Sequence, residues 1–279
     1  EDERYTAFKT CYRSMRIIDD LVDNLKTTSE ILTDLEKKQF KAKINIWTNA
    51  LIKKQPVDNF QNELIITLEK YHIPTWPWEK LSQAMIYDLY HNGFKTFHIF
   101  LKYAGGAAVA PASIFMHLCG VNRKNDNYYL PGFDIRQTAR PIALFSYLVH
   151  IIRDFQKDQA DNLNYFADNL LTNYNIDKIS LKEIAHGGEI TDSFRKLINH
   201  YYQYTEYFRQ KARLSIDKTK LHLKPQYQLS LELIYNLYFQ IFEKIDIYKG
   251  KFTASELNPT PDEINNRINQ TIINFKAVK

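Results

Sequence analysis

Residues 12–23 read Tyr12-Arg13-Ser14-Met15-Arg16-Ile17-Ile18-Asp19-Asp20-Leu21-Val22-Asp23. On an α-helix, at about 100° per residue, Tyr12, Arg16, Asp19 and Asp23 fall within roughly 60° of one another. A second stripe, Phe8, Cys11, Met15, Ile18 and Val22, runs beside them. The acidic row therefore borders the core-facing side of its helix. Carboxylates one turn apart repel unless a cation lies between them, and a hard divalent ion with oxygen ligands is the common solution. Asp20 sits at the edge of the row, where it can serve as a partner to the ligands. Taken alone, an Asp-Asp-x-x-Asp string also reads as a solvated acidic face.

A second row changes that balance. Tyr147, Asp154, Asp158, Asp161 and Tyr165 recur at helical spacing in a segment expected to be one long helix over about residues 134–171. Its first part is embedded in the apolar run Pro141-Ile142-Ala143-Leu144-Phe145-Ser146-Tyr147-Leu148-Val149-His150-Ile151-Ile152, which reads as a helix buried on most sides. Pro141 either starts that helix or kinks it. Buried carboxylates without a cation would take up protons, whereas Mg²⁺ with a bound diphosphate would keep them ionised. Arg16 and Arg153 each stand beside an acidic row, as structural ion-pair partners or as clamps on phosphate oxygens. His150, a lone histidine beside an apolar run, reads as a core residue, since Mg²⁺ prefers oxygen ligands.

The remaining sequence sets the frame. Only 8 Gly and 9 Pro punctuate 279 residues, too few for the turns of an all-β chain, so long helices are expected. Apolar spacing places them at about residues 4–25, 31–53, 58–72, 77–93, 96–119, 134–171, 189–216, 226–248 and 261–278. Breaks fall at Gln55-Pro56, Ile73 to Pro77, Asn122 to Gly132, His186-Gly187-Gly188, Lys224-Pro225 and Asn258 to Pro261. None resembles an interdomain linker, so residues 1–279 are expected to form one helical domain. Cys11 and Cys119 stand far apart without a CxxC, which favours a reducing, cytoplasmic setting over a disulfide scaffold. The most apolar stretch, Ala104 to Cys119, is interrupted by Pro111, Ser113 and His117, so no transmembrane segment is expected. The formal charge of +5 is scattered, without the basic-aromatic clusters of a nucleic-acid binder, but it suits anionic substrates and peripheral contact with anionic lipid surfaces. The chain opens at Glu1 rather than Met, so further residues upstream are expected.

The segment 12–23, followed far downstream by Ile151-Ile152-Arg153-Asp154-Phe155-Gln156-Lys157-Asp158, resembles the squalene/phytoene synthase family. Ala84-Met85-Ile86-Tyr87-Asp88-Leu89, Phe94-Lys95-Thr96-Phe97 and Tyr103-Ala104 look like that family's middle region. The resemblance covers about residues 5–170; beyond Leu171 the chain shows compatible helical character. It implies an all-α isoprenoid (terpenoid) synthase fold around a central cavity, with Mg²⁺, or alternatively Mn²⁺, bridging two aspartate motifs to diphosphate. Asp19, Asp23, Asp154 and Asp158 would then be metal ligands and catalytic with Arg16 and Tyr165. Tyr12, Arg16, Asp88, Tyr147, Arg153 and Tyr165 would line the substrate site. Tyr147 and His150 stand where such synthases carry Gln and Asn, Asn162-Leu163 where they carry Gly-Arg, and Leu101 where a Tyr is common. The family's N-terminal Ser/Phe segment is absent from the sequence as given.

The implied reaction is head-to-head condensation of two farnesyl or geranylgeranyl diphosphates through a cyclopropylcarbinyl diphosphate, giving a squalene- or phytoene-type precursor of sterols, hopanoids or carotenoids. Aromatic faces such as Tyr12, Tyr147 and Tyr165 suit the passing cations, or else simply pack. There is no GxGxxG after a strand, and such a fold would need none, so the sequence leaves NADPH use open. Two other readings stand beside this one. The Asp-Asp-x-x-Asp string alone fits a head-to-tail prenyltransferase or terpene cyclase, although the second motif lacks their acidic patterns. Loss of the usual Gln, Asn and Arg fits a non-catalytic prenyl-lipid binder.

Overall fold

The computed structural model describes residues 2–27, 32–125 and 127–278, and the side chains of all of these except 21–27. Its elements run α1 (Asp2–Thr27), α2 (Asp34–Ile52), α3 (Asn59–Tyr71), α4 (Trp76–Tyr90), α5 (Phe97–Ala104), a π-helical turn (Gly105–Val109) and α6 (Ala110–Gly120). Strands β1 (Asn122–Lys124) and β2 (Asn127–Tyr129) follow, then α7 (Ile135–Arg153), α8 (Phe155–Ala160), α9 (Asp168–Asn173) and α10 (Lys178–Ala185). The last helices are α11 (Asp192–Lys220), α12 (Pro225–Glu243), α13 (Ala254–Leu257) and α14 (Pro261–Asn274). The chain groups into two compact units, Glu1–Asn92 with Leu101–Arg140, and Gly93–Phe100 with Pro141–Lys279.

In the first unit, Cys11, Met15 and Ile18 of α1 are buried, as the apolar stripe predicts. Thr33 and Glu36 start α2 with a reciprocal capping box, and the Asp58 carboxylate caps α3 by accepting from Gln61 N at 2.7 Å. Helix α4 packs against α1, α2, α6 and the π turn. All three tryptophans, Trp47, Trp76 and Trp78, belong to this unit. Trp78 is fully buried, and its indole N–H donates to Ser14 Oγ at 2.9 Å, so its one polar atom is satisfied. A Cβ on Gly106 would lie 2.2 Å from the Lys80 carbonyl oxygen, so glycine is what lets the π turn approach α4.

The expected helix 96–119 thus carries a π turn just before Pro111, one residue more than a regular helix holds. The run Phe97–Gly120 is long and apolar enough to cross a membrane by length and composition, and half of its most apolar window is buried. Residues expected as a plain loop, Asn122 to Gly132, include an antiparallel hairpin pairing Asn122 with Tyr129 and turning at Asn125, whose φ is 48°. Cys11 and Cys119 are both free and buried, and burial pushes each thiol up to about 12.

In the second unit, Leu144, Phe145, Leu148, Val149 and Ile152 of α7 are buried, as are Phe194, Leu197, Ile198 and Tyr201 of α11. Thr191 caps α11, and α12 packs on both α11 and α14. Arg213 of α11 meets Glu232 of α12 at 2.7 Å. Helix α7 runs past Pro141 from a start at Ile135. The single helix expected over 134–171 is overturned. Asp154 leaves helical geometry at φ −92°, ψ 7°, α8 ends by Ala160, and Asn162 takes the left-handed conformation at φ 57°. There Leu163 N bonds Asp158 O at 2.7 Å and Asn162 N bonds Gln159 O at 3.2 Å, a Schellman closure. Helices α9, α10 and α13 are short elements that periodicity did not resolve.

Candidate active site

On α1, the Arg16 guanidinium reaches Asp19 at 2.5 Å and also holds Asp20. One arginine thus bridges the doubled aspartate, and Asp19 is the more covered of the two carboxylates, with 27% of its side chain exposed against 47%. That ordering agrees with a row bordering the core. Tyr12 is exposed and stacks on Phe8 at 6.0 Å. Asp23 belongs to α1, but its side chain lies outside the described residues. On α4, one turn beyond the Gly106 approach, Asp88 accepts a hydrogen bond from the buried Tyr103 hydroxyl at 2.7 Å.

The second row is built differently from the stripe that spacing suggested. Adjacent helical residues point about 100° apart and do not face each other. Because the helix breaks at Asp154, that carboxylate swings beside Arg153, whose Nε and Nη2 donate to its two oxygens at 2.7 Å each. Arg153 Nη2 also contacts His150 Nδ1, and His150 Nε2 lies 2.9 Å from the Tyr238 hydroxyl. One turn on, the Asp158 N–H donates to the Asp154 carbonyl at 2.8 Å. The two carboxylates therefore still sit on one local turn. Asp161 caps the end of α8, and Tyr165 lies in the following loop, so neither extends a helical stripe.

Tyr165 nevertheless joins Tyr147 through ring packing. Tyr147 stacks on Phe100 at 5.9 Å and 3°, and Tyr165 meets Tyr147 edge-on at 6.2 Å. Phe94 stacks on Tyr165 at 6.3 Å, and Phe97 and Tyr201 extend the cluster. Sequence reading missed Tyr238, Phe100 and Tyr201. The spacing Phe94, Phe97, Phe100 was the available signal for part of this cluster.

Electrostatics separates the two carboxylates. Burial acts to raise the Asp154 carboxyl, but the hydrogen bonds from Arg153 and the Arg153 charge outweigh it, holding the group well below the usual carboxylate range. Asp158 is pushed up to about 7, by burial first and then by the negative charges of Asp154 and Asp161. Among the described residues no group of three or more His, Cys, Asp or Glu is gathered as a metal site. The donor set still fits a hard cation. Each Asp154 oxygen keeps a lone pair beyond the one given to Arg153, and Asp158 stands in a surplus of negative charge that a divalent ion would relieve.

The family model for squalene/phytoene synthases matches residues 2–260. The chain belongs to that family. Membership makes it a transferase of prenyl groups, and the family's general reaction is head-to-head condensation of prenyl diphosphates, with divalent metal generally binding the diphosphate. Solved structures share the fold. A dehydrosqualene synthase in complex with ligand matches with a TM-score of 0.72 at 12% identity, over 98% of this chain and 87% of that one. The squalene synthase HpnC from Alicyclobacillus acidocaldarius gives 0.63 at 14% identity, over 83% and 79%. YisP from Bacillus subtilis subsp. subtilis strain 168 gives 0.59 at 12% identity, over 96% and 97%. No curated protein sequence matches the chain. Asn162, which the resemblance sets where such synthases carry Gly, fills a left-handed position, the backbone task for which Asn is the next best residue after Gly.

Proposed function

We propose that the chain condenses two farnesyl or geranylgeranyl diphosphates head-to-head, with Asp19, Asp23, Asp154 and Asp158 as ligands of Mg²⁺. The observation that carries this reading is the Asp154–Asp158 turn, one carboxylate held ionised by Arg153 and the next pushed up by burial and then by its neighbours' charge. Bound Mg²⁺ would supply neutralisation of the departing diphosphate. The carbon–oxygen bond of one substrate breaks, its electron pair leaving on diphosphate, and the double bond of the other substrate attacks the allylic carbon. Loss of a proton, taken by the released diphosphate, closes the cyclopropane. Arg16 steadies the Asp19 and Asp20 carboxylates, while the faces of Tyr147 and Tyr165 offer a cation electron density without a nucleophile that would trap it. The aromatic cluster behind them helps to exclude water.

Incubation with Mg²⁺ and labelled farnesyl or geranylgeranyl diphosphate tests this. A thirty- or forty-carbon product is expected; a cyclised or chain-extended product would replace the reading with the head-to-tail or cyclase alternative. Asp19→Ala and Asp154→Ala should each cost more than the roughly 10–100-fold typical of outer-shell partners of a metal. Unchanged turnover in both would sink the aspartate mechanism. One observation favours the non-catalytic binder: Arg153 already engages both Asp154 oxygens. Prenyl diphosphate binding without turnover would establish it.

A further inference from the structure

A helical i,i+1 ion pair is ordinarily loose, since the two side chains diverge and both can rotate into water. The Arg153–Asp154 pair is anchored by a third residue, and donor chemistry fixes how. A guanidinium only donates, so His150 Nδ1, facing Arg153 Nη2, is the acceptor. The imidazole proton is then on Nε2, where it points to the Tyr238 hydroxyl at 2.9 Å. The two hydrogens of Arg153 Nη2 divide between His150 Nδ1 and Asp154 Oδ2, which explains why those two acceptors lie 3.3 Å apart without a hydrogen between them. Tyr238 belongs to α12, and the ring pair it makes with His150 is edge-on at 5.2 Å. The chain Tyr238, His150, Arg153, Asp154 therefore ties the broken end of α7 to a second helix.

We propose that His150 and Tyr238 are positioning residues that lock the Arg153 fork onto Asp154 and so hold that carboxylate in one rotamer for the cation. This rests on the reading of Asp154 as a Mg²⁺ ligand. Neither residue needs to touch substrate. An alanine at 150 frees Arg153 Nη2 to swing away, and Tyr238→Phe removes the acceptor that orients the imidazole. An asparagine at 150 can still accept from Arg153 but is too short to span to Tyr238 as well. Partners that orient a metal ligand typically contribute about 10–100-fold in metal affinity or activity.

The test measures Mg²⁺-dependent binding of inorganic pyrophosphate by calorimetry, beside steady-state kinetics and histidine ¹⁵N NMR of the folded protein. His150→Ala should raise the half-saturating Mg²⁺ concentration about 10-fold or more, Tyr238→Phe and His150→Asn by a smaller factor, with kcat at saturating Mg²⁺ changed much less. A merely structural role would not give that split. The NMR spectrum should show the Nε2–H tautomer at His150, and Tyr238→Phe should perturb it. If Asp154→Ala abolishes pyrophosphate binding while His150→Ala, His150→Asn and Tyr238→Phe bind as the parent does, the positioning proposal falls alone. A protonated Nδ1 would overturn it too. If Asp154→Ala itself binds as the parent does, the ligand reading falls and takes this proposal with it. Should His150→Ala fail to fold, the two conservative variants decide.

Discussion

Asp158 and Asp154 lie one turn apart, yet their surroundings push them in opposite directions, and proton linkage turns that into a measurable effect. With its folded carboxyl raised to about 7, Asp158 contributes stability that is fully present below the ordinary carboxylate range and is lost as pH rises through about 7. Asp154, held low, stays ionised across that window. In the absence of divalent metal, the thermal midpoint should therefore fall between pH 5.5 and pH 8. Added Mg²⁺ should offset the fall, because a cation replaces the proton. Asp158→Asn should flatten both responses; a midpoint that rises with pH in the metal-free parent would contradict the assignment. At this scale the sequence was informative where helical spacing and charge coincide, as at Arg16 and Asp19. It was silent on His150, which as a lone histidine reads like packing. Its role depends on Tyr238, 88 residues away, and on a helix break that no local pattern announces.

Two positions carry the geometry of whole elements. Asn162 closes α8 at φ 57°, a conformation that costs a side chain with a Cβ about 1–2 kcal/mol unless it is Asn or Asp. Asn162→Ala should destabilise by about that much in denaturant unfolding, whereas Asn162→Gly should match the parent, since the exposed Lys182 contact to its side chain adds little. Gly106→Ala places a methyl carbon 2.2 Å from the Lys80 carbonyl and 2.8 Å from the Ala84 Cβ. A loss of at least about 1–3 kcal/mol is expected, with α4 forced back; an unchanged denaturation midpoint would show that the approach is not tight. Helix existence was readable from apolar period and caps such as Thr33 and Asp58. The break at Asp154 was not, because Asp154, Asp158 and Asp161 keep the spacing of three and four whether or not the axis bends. The π turn escaped for a similar reason, since Gly105-Gly106-Ala107-Ala108 fits a regular helix as well as a widened one.

At the scale of the molecule, the paired acidic motifs and the middle region made the family legible through about residue 170. Matching continues to residue 260 without further motifs to read. Helices α11, α12 and α14 are recognisable only as amphipathic stretches, because their contribution is packing and the placement of single residues such as Tyr238. The tryptophans have a spectroscopic consequence. Since Trp47, Trp76 and Trp78 all lie in the unit Glu1–Asn92 with Leu101–Arg140, fluorescence under tryptophan-selective excitation reports on that unit alone. The rings of Tyr147, Tyr165 and Tyr201 belong to the other unit, whose helices also contribute to far-ultraviolet circular dichroism. We expect the emission shift and the dichroism to trace one coincident denaturation curve, as a single cooperative domain requires. Two separated transitions would instead resolve the units optically, with the indole signal naming which one melts first.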